Sequence, residues 1–228
     1  MTRRQLFRLI SYVLLGVLLL FLLIVYSLYL SAQRLPDFYK ESLAVSPELR
    51  QVQNKRMREK IINLNNSVQN TGKPWSIQFS EDDLNAYFAV ELAREGSNIL
   101  PRDITEPRLT FSDRQLDFAC RVEQGSLAGI LHLMVGLEIP EPNRLSIRIK
   151  NARLGKLPIS REIPAKMLAE ALEKAGYKVR QSTTADDPVV SFMLDLKYGK
   201  DLKVNLESLS LVDGAVQISG ETEKATGK

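Results

Sequence analysis

The chain reads as an α+β protein: an N-terminal transmembrane helix, then a curved, mostly antiparallel sheet of about seven strands packed on amphipathic helices. Three observations predict this. Residues 9–33 carry no charge and are strongly apolar. Alternation with period two runs from 107 to 152 and returns from 189 to 222. Between these blocks, residues 158–176 switch to helical spacing.

The first segment, "LISYVLLGVLLLFLLIVYSLYL", is long enough to cross a hydrocarbon core of ~30 Å at ~1.5 Å per residue. Tyr12, Tyr26 and Tyr29 stand toward its two ends, where rings favour the headgroup level. Arg3, Arg4 and Arg8 precede the run and Arg34 follows it, so the N-terminus is expected in the cytoplasm and the remainder outside. A cleaved signal peptide would need a shorter apolar core and a small residue where Leu30 stands. The expectation is a single-pass cell-membrane protein with an extracytoplasmic C-terminal domain.

After the anchor, Ser46 can cap a helix with Pro47 at its first position. Leu49, Val52, Met57, Ile61, Leu64 and Val68 then recur at helical spacing, predicting a membrane-proximal helix. "NTGKP" breaks the chain at 70–74. Trp75, Ile77 and Phe79 alternate as a short strand, Ser80 caps "SEDDLNAYFAVELAREG", and Gly96 ends it. Three strands follow, with Leu116, Phe118, Cys120 and Val122 on one face, then Leu131, Leu133, Val135 and Leu137, then Leu145, Ile147 and Ile149. Ile130 and Met134 suggest that the second is covered on both sides. Ile159, Ile163, Met167, Leu168, Ala171, Leu172 and Ala175 form the predicted helix stripe, stopped at Gly176. "QSTTADDP" reads as a polar loop. Three more strands close the chain, the last two joined at Asp213-Gly214. The expected division is a cytoplasmic tail and anchor over 1–34, a membrane-proximal helix and linker over 35–74, an extracytoplasmic α+β domain over 75–222, and a disordered tail over 223–228.

The 228 residues suit one domain with attachments. The basic pI of about 9.1 misleads. Of 31 basic and 27 acidic residues, the four charges in residues 1–34 are all basic, which leaves 27 against 27 in the rest. With no basic stripe interleaved with aromatics, nucleic acid is excluded as a partner. The lone Cys120 forms no internal disulfide, so the core alone must hold the domain.

No motif carries chemistry. "LGKLPIS" fails the phosphate-loop pattern, because position 150 is Lys and the Gly-Lys pair is followed by Leu157. It reads instead as a structural turn, with Gly155 allowing the reversal and Pro158 punctuating helix entry. His132 is the single histidine, so histidine metal cages are excluded, and its strand position suits a structural, hydrogen-bonded ring. Cys120 lies between Phe118 and Val122 and reads as a small buried hydrophobe. The Glu81-Asp82-Asp83 and Asp186-Asp187 clusters fit helix-end electrostatics and loop solvation. No enzyme, cofactor or metal is expected.

The order of features, with "FSEDDLNAYFA" running from strand to helix and "NARLGKLPIS" leading into an apolar helix, resembles the YpmS-type family of bacterial single-pass envelope proteins over roughly residues 75–220. The chain departs from that pattern in a longer membrane-proximal helix and a larger polar loop at 181–188. It is also similar to small lipid-handling envelope domains in which a curved sheet wraps an amphipathic helix; that resemblance implies phospholipid or acyl-chain binding. The expected function is therefore non-enzymatic binding of a lipid or other apolar ligand between sheet and helix, in a groove lined by Leu131, Leu133, Val135, Ile147, Ile163, Met167 and Ala171. The alternative is an envelope protein–protein interaction or assembly module with a closed core.

Overall fold

A computed structural model describes residues 3–92, 104–124, 127–194, 196–198 and 202–224, with side chains described from Leu18 onward. Helix α1 spans Arg3–Ala32, α2 Asp37–Leu43 and α3 Pro47–Val68. Ser46 caps α3 by accepting from the Leu49 N–H at 3.3 Å, with Pro47 at the first turn where no N–H is needed. Strand β1 is Pro74–Ser80 and α4 is Glu81–Tyr87, the latter continuing as a π-helical turn over Phe88–Leu92. Ser80 caps α4 through the Asp83 N–H, as its spacing predicts. The predicted stop at Gly96 lies outside the described residues.

The meander follows as β2 (Ile104–Ser112), β3 (Gln115–Gln124), β4 (Leu127–Glu141) and β5 (Arg144–Leu154), with a two-residue β6 at Leu157–Pro158. Then come α5 (Glu162–Lys174), β7 (Val179–Thr184), β8 (Asp187–Met193), β9 (Lys197–Tyr198), β10 (Leu202–Val212) and β11 (Ala215–Lys224).

The fold is α+β and the described strand pairs are antiparallel, but the strands form two sheets. The larger has seven strands in the order β2-β3-β4-β5-β8-β7, with β6 paired to β5; the smaller is β1-β11-β10-β9. Period-two patterning specifies which residues share a face, not which strand each edge will meet. Here β11 pairs with β1, from the other end of the domain, and the closing strands separate from the meander.

Alternate residues of the large sheet feed two cores. On one face, α5 covers Val135, Ile149 and Val190, while the small sheet and α4 cover Leu109 and Phe111 together with Leu211. Leu116 and Leu137 belong to both clusters and make them continuous. On the opposite face, α2 lays Tyr39 over Ala119 and Ile130, all three fully buried. The expectation that β4 is covered on both sides therefore holds.

Several local expectations change in three dimensions. The "QSTTADDP" segment is a hairpin: β7 and β8 meet through Ala185-Asp186, both at positive φ (50° and 65°). All of β7 after Val179 is exposed, because it is the sheet edge, so it shows no alternation that would mark it as a strand. Helix α3 is no free-standing spacer. It packs on α4, β1 and the small sheet, burying Gln53, Asn54, Met57 and Val68 while leaving Leu49 and Val52 exposed. Polar side chains take the inward face because partners await them: Asn54 donates to Glu91 at 3.0 Å, and Lys60 pairs with the fully buried Asp83 at 2.9 Å.

Two asparagines tie the layers together. Asn85, on α4, donates to the Leu109 carbonyl at 2.7 Å and accepts its N–H at 2.8 Å, acting as a strand neighbour to the edge strand β2. Glu81 extends that contact by accepting from the Phe111 N–H at 2.9 Å. Asn143, in the β4–β5 turn at φ 62°, accepts from the Leu206 N–H at 2.7 Å and donates to Val204 O at 3.1 Å, joining the two sheets beside the β10 register shift.

Candidate functional site

The predicted groove residues divide into two sets. Val135 is buried, and Leu133 and Ile147 are packed against the same core, so the sheet half lies where the alternation places it; Leu131 is also buried. The helix half does not face them. Ile163 is 54% exposed and Met167 37%, and Ala171 is exposed as well. Helix α5 instead turns Ala165, Leu168, Ala169 and Leu172 toward the sheet, a spacing of i, i+3, i+4 and i+7. Leu168 and Leu172, both in the predicted stripe, thus face the sheet, whereas Ile163, Met167 and Ala171 lie on the side turned away from it. Helix 162–174 is apolar over more than half its circumference, so sequence periodicity alone leaves the inward face ambiguous. The alanines decide it, because Ala165 and Ala169 let the helix backbone approach Ile149 and Val190 closely. The space directly under α5 is therefore packed core.

A strip of the same sheet face remains less covered. Phe118 and Leu133, cross-strand partners on β3 and β4, are half-buried, with Phe118 packed toward the small sheet and Leu133 toward α5. The next pair along, Cys120 and Leu131, is buried. Burial alone pushes the Cys120 thiol up to about 12, so it is a neutral, apolar part of this floor.

One end of the strip meets α1. The Lys156 N–H donates to Ser31 O at 2.9 Å, and Gln33 Nε2 donates to Ala128 O at 2.7 Å. Gly155, at φ 58°, donates to Ile130 O at 2.6 Å. A Cβ on Gly155 would collide with the carbonyl of Ser31 and lie 2.5 Å from that of Ala32. The turn read from sequence as architectural is the seat of the N-terminal helix. Only glycine satisfies both its backbone angle and that close approach. Pro158 lies beyond it on β6, paired with Arg153, and is exposed.

Beyond the seat, the apolar side chains of α1 are bare: Phe21, Leu23 and Tyr26 are each at least 60% exposed. Among the described residues no single helix is long and apolar enough to cross a membrane; Leu18–Ala32 and Asp37–Leu43 meet that requirement only as a pair bent by 60°. The helical backbone itself begins at Arg3.

Of the remaining polar candidates, His132, Glu81, Asp83 and Asp187 have side-chain partners within the fold. His132 Nε2 lies 2.7 Å from Asp117 Oδ1, with the Phe38 ring 5.6 Å away. Burial works against ionisation of Asp117, but hydrogen bonds from His132 and Gln115 outweigh it and hold the carboxyl below its ordinary value. Asp187 is paired with Arg161, which also donates to Asp186 O at 3.0 Å. Of the first acidic cluster, Glu81 and Asp83 bind β2 and α3 as described above, a role that local sequence does not signal. Among the described residues, no three His, Cys, Asp or Glu side chains are grouped to hold a metal. Described residues line concavities on and beside α3. One, of about 630 Å³, is open and runs along α3 past Val52, Lys55, Arg58 and Ile62. Another, about 10 Å³ between Ser42, Arg50, Gln53 and Asn85, has room for one water.

Comparison with protein-family models, with curated proteins and with solved structures finds no match.

Proposed function

We propose that the chain is a single-pass, non-enzymatic membrane protein. In this reading its extracytoplasmic domain receives an acyl chain or phospholipid on the face of the large sheet between α5 and the small sheet, over Phe118 and Leu133. The observation that carries the reading is the seating of α1 against the Gly155-Lys156 turn. If α1 spans the bilayer, as its 30 helical residues and bare apolar surface support, that hydrogen-bonded seat holds the α1 end of the strip at the headgroup level. A chain leaving the bilayer would meet apolar side chains without crossing water. Each methylene covered is worth ~0.8 kcal/mol.

The test uses the full chain in nanodiscs containing a phospholipid with a diazirine in its acyl chain. After illumination, labelled peptides are mapped by mass spectrometry. Adducts on β3 and β4 that disappear in Leu133→Lys support the reading. Adducts confined to α1 overturn it.

A second reading, a protein–protein module, is favoured by the close packing of α5 and by the open concavity on α3, where Val52 and Ile62 are more than half exposed. Substituting both by Lys and measuring loss of co-purifying envelope proteins tests it.

A further inference from the structure

We propose that Arg34, Arg153 and Lys156 form a binding site for the phosphate groups of anionic phospholipids around the exit of α1. The inference rests on the membrane-anchor reading above. Only Arg34 adjoins the apolar segment in the chain; folding brings Lys156 against its end, with Arg153 three residues earlier. The Lys156 N–H is bonded to Ser31 O at 2.9 Å, so its Cα sits within about one helical turn of the last residues of α1. Arg153 is three residues earlier on β5, opposite His132 on β4. All three side chains are exposed, and none forms an ion pair among the described residues.

Among the acids on the neighbouring strands, Asp117 is held by His132 at 2.7 Å, and Glu123, opposite Ala128, forms no ion pair with any of the three. Glu106 is engaged by Arg121 at 3.2 Å, and Asp187 by Arg161. Exposed cations without an ion-pair partner near the end of a membrane-spanning helix attract a counter-charge, and headgroup phosphate supplies it. A lysine and two arginines suit phosphate recognition, arginine through its planar fork and lysine as a point charge. Arg153 and Lys156 also lie far beyond the first positions after the span in the chain, so these two do not contribute to orienting the helix during insertion.

The full chain is placed in nanodiscs of phosphatidylcholine mixed with phosphatidylglycerol, and the lipids retained on release are counted by native mass spectrometry. Phosphatidylglycerol is expected to be enriched over its share of the disc. Arg153→Gln and Lys156→Gln should each lower that enrichment by about fivefold, as should raised salt, with urea unfolding unchanged. No enrichment in the unsubstituted chain, or enrichment insensitive to the double substitution, overturns the proposal while leaving the anchor intact. A chain that does not enter the discs overturns both.

Discussion

Gly155 offers a prediction whose size follows from geometry. Replacing it with alanine imposes two costs. The left-handed φ of 58° costs a non-glycine residue about 1–2 kcal/mol. The new Cβ also overlaps the Ser31 and Ala32 carbonyls, so the end of α1 must lift away and the Lys156–Ser31 hydrogen bond is lost, about 0.5–1.5 kcal/mol more. Gly214 provides the control. Its φ is 70°, equally left-handed, yet a Cβ there meets nothing within 4 Å. Gly214→Ala should therefore carry only the conformational cost. Urea unfolding of the full chain in one micelle system should find Gly155→Ala less stable than Gly214→Ala by about 1 kcal/mol. Hydrogen exchange at the Lys156 amide should accelerate only in the first variant. Equal destabilisation, or an unchanged Lys156 amide, would show that α1 is not seated on this turn. Gly155→Val should be worse than alanine, since β-branching adds to the clash.

Other sites test the layers. Asn143→Ala leaves the Leu206 N–H and Val204 O without their partner and places alanine at φ 62°; a loss of about 2–4 kcal/mol in the same unfolding assay is expected. Ala185→Asn should stabilise by about 0.5–1 kcal/mol, because both residues of that turn have positive φ and asparagine tolerates it. Since the Asp117 carboxyl is held below its ordinary value of 3.8, its contribution is fully present above that pH and is lost as pH falls through the lowered value. Acid unfolding should therefore shift upward in pH in His132→Ala, and the shift should vanish when Asp117 is also replaced by Asn. Native Cys120, with its thiol raised to about 12, should resist thiol reagents until the protein unfolds; rapid native labelling would contradict its burial.

What the sequence determines by itself here is local. Ser46, Ser80 and Gly176 mark helix ends because capping depends on neighbours in the chain: Ser80 accepts from the Asp83 N–H, and Gly176, at φ 89°, follows the last turn of α5. The meander β3–β5 is legible because each strand has one buried face, which imposes period two. The charge-free run of residues 9–33 is equally plain in the sequence. What tertiary structure decides is pairing and rotation. The split into two sheets depends on β11 finding β1, and β7 is hidden from patterning because an edge strand leaves both faces wet. The inward face of α5 is settled by whether alanine or the larger Ile163 and Met167 lets the helix approach the sheet, a packing question with no local signature. For the same reason Asn85 and Asn143 look like ordinary turn and helix residues in the sequence. Their partners, Leu109 and Leu206, are 24 and 63 residues away, and the hydrogen bonds that define their role exist only once those strands arrive.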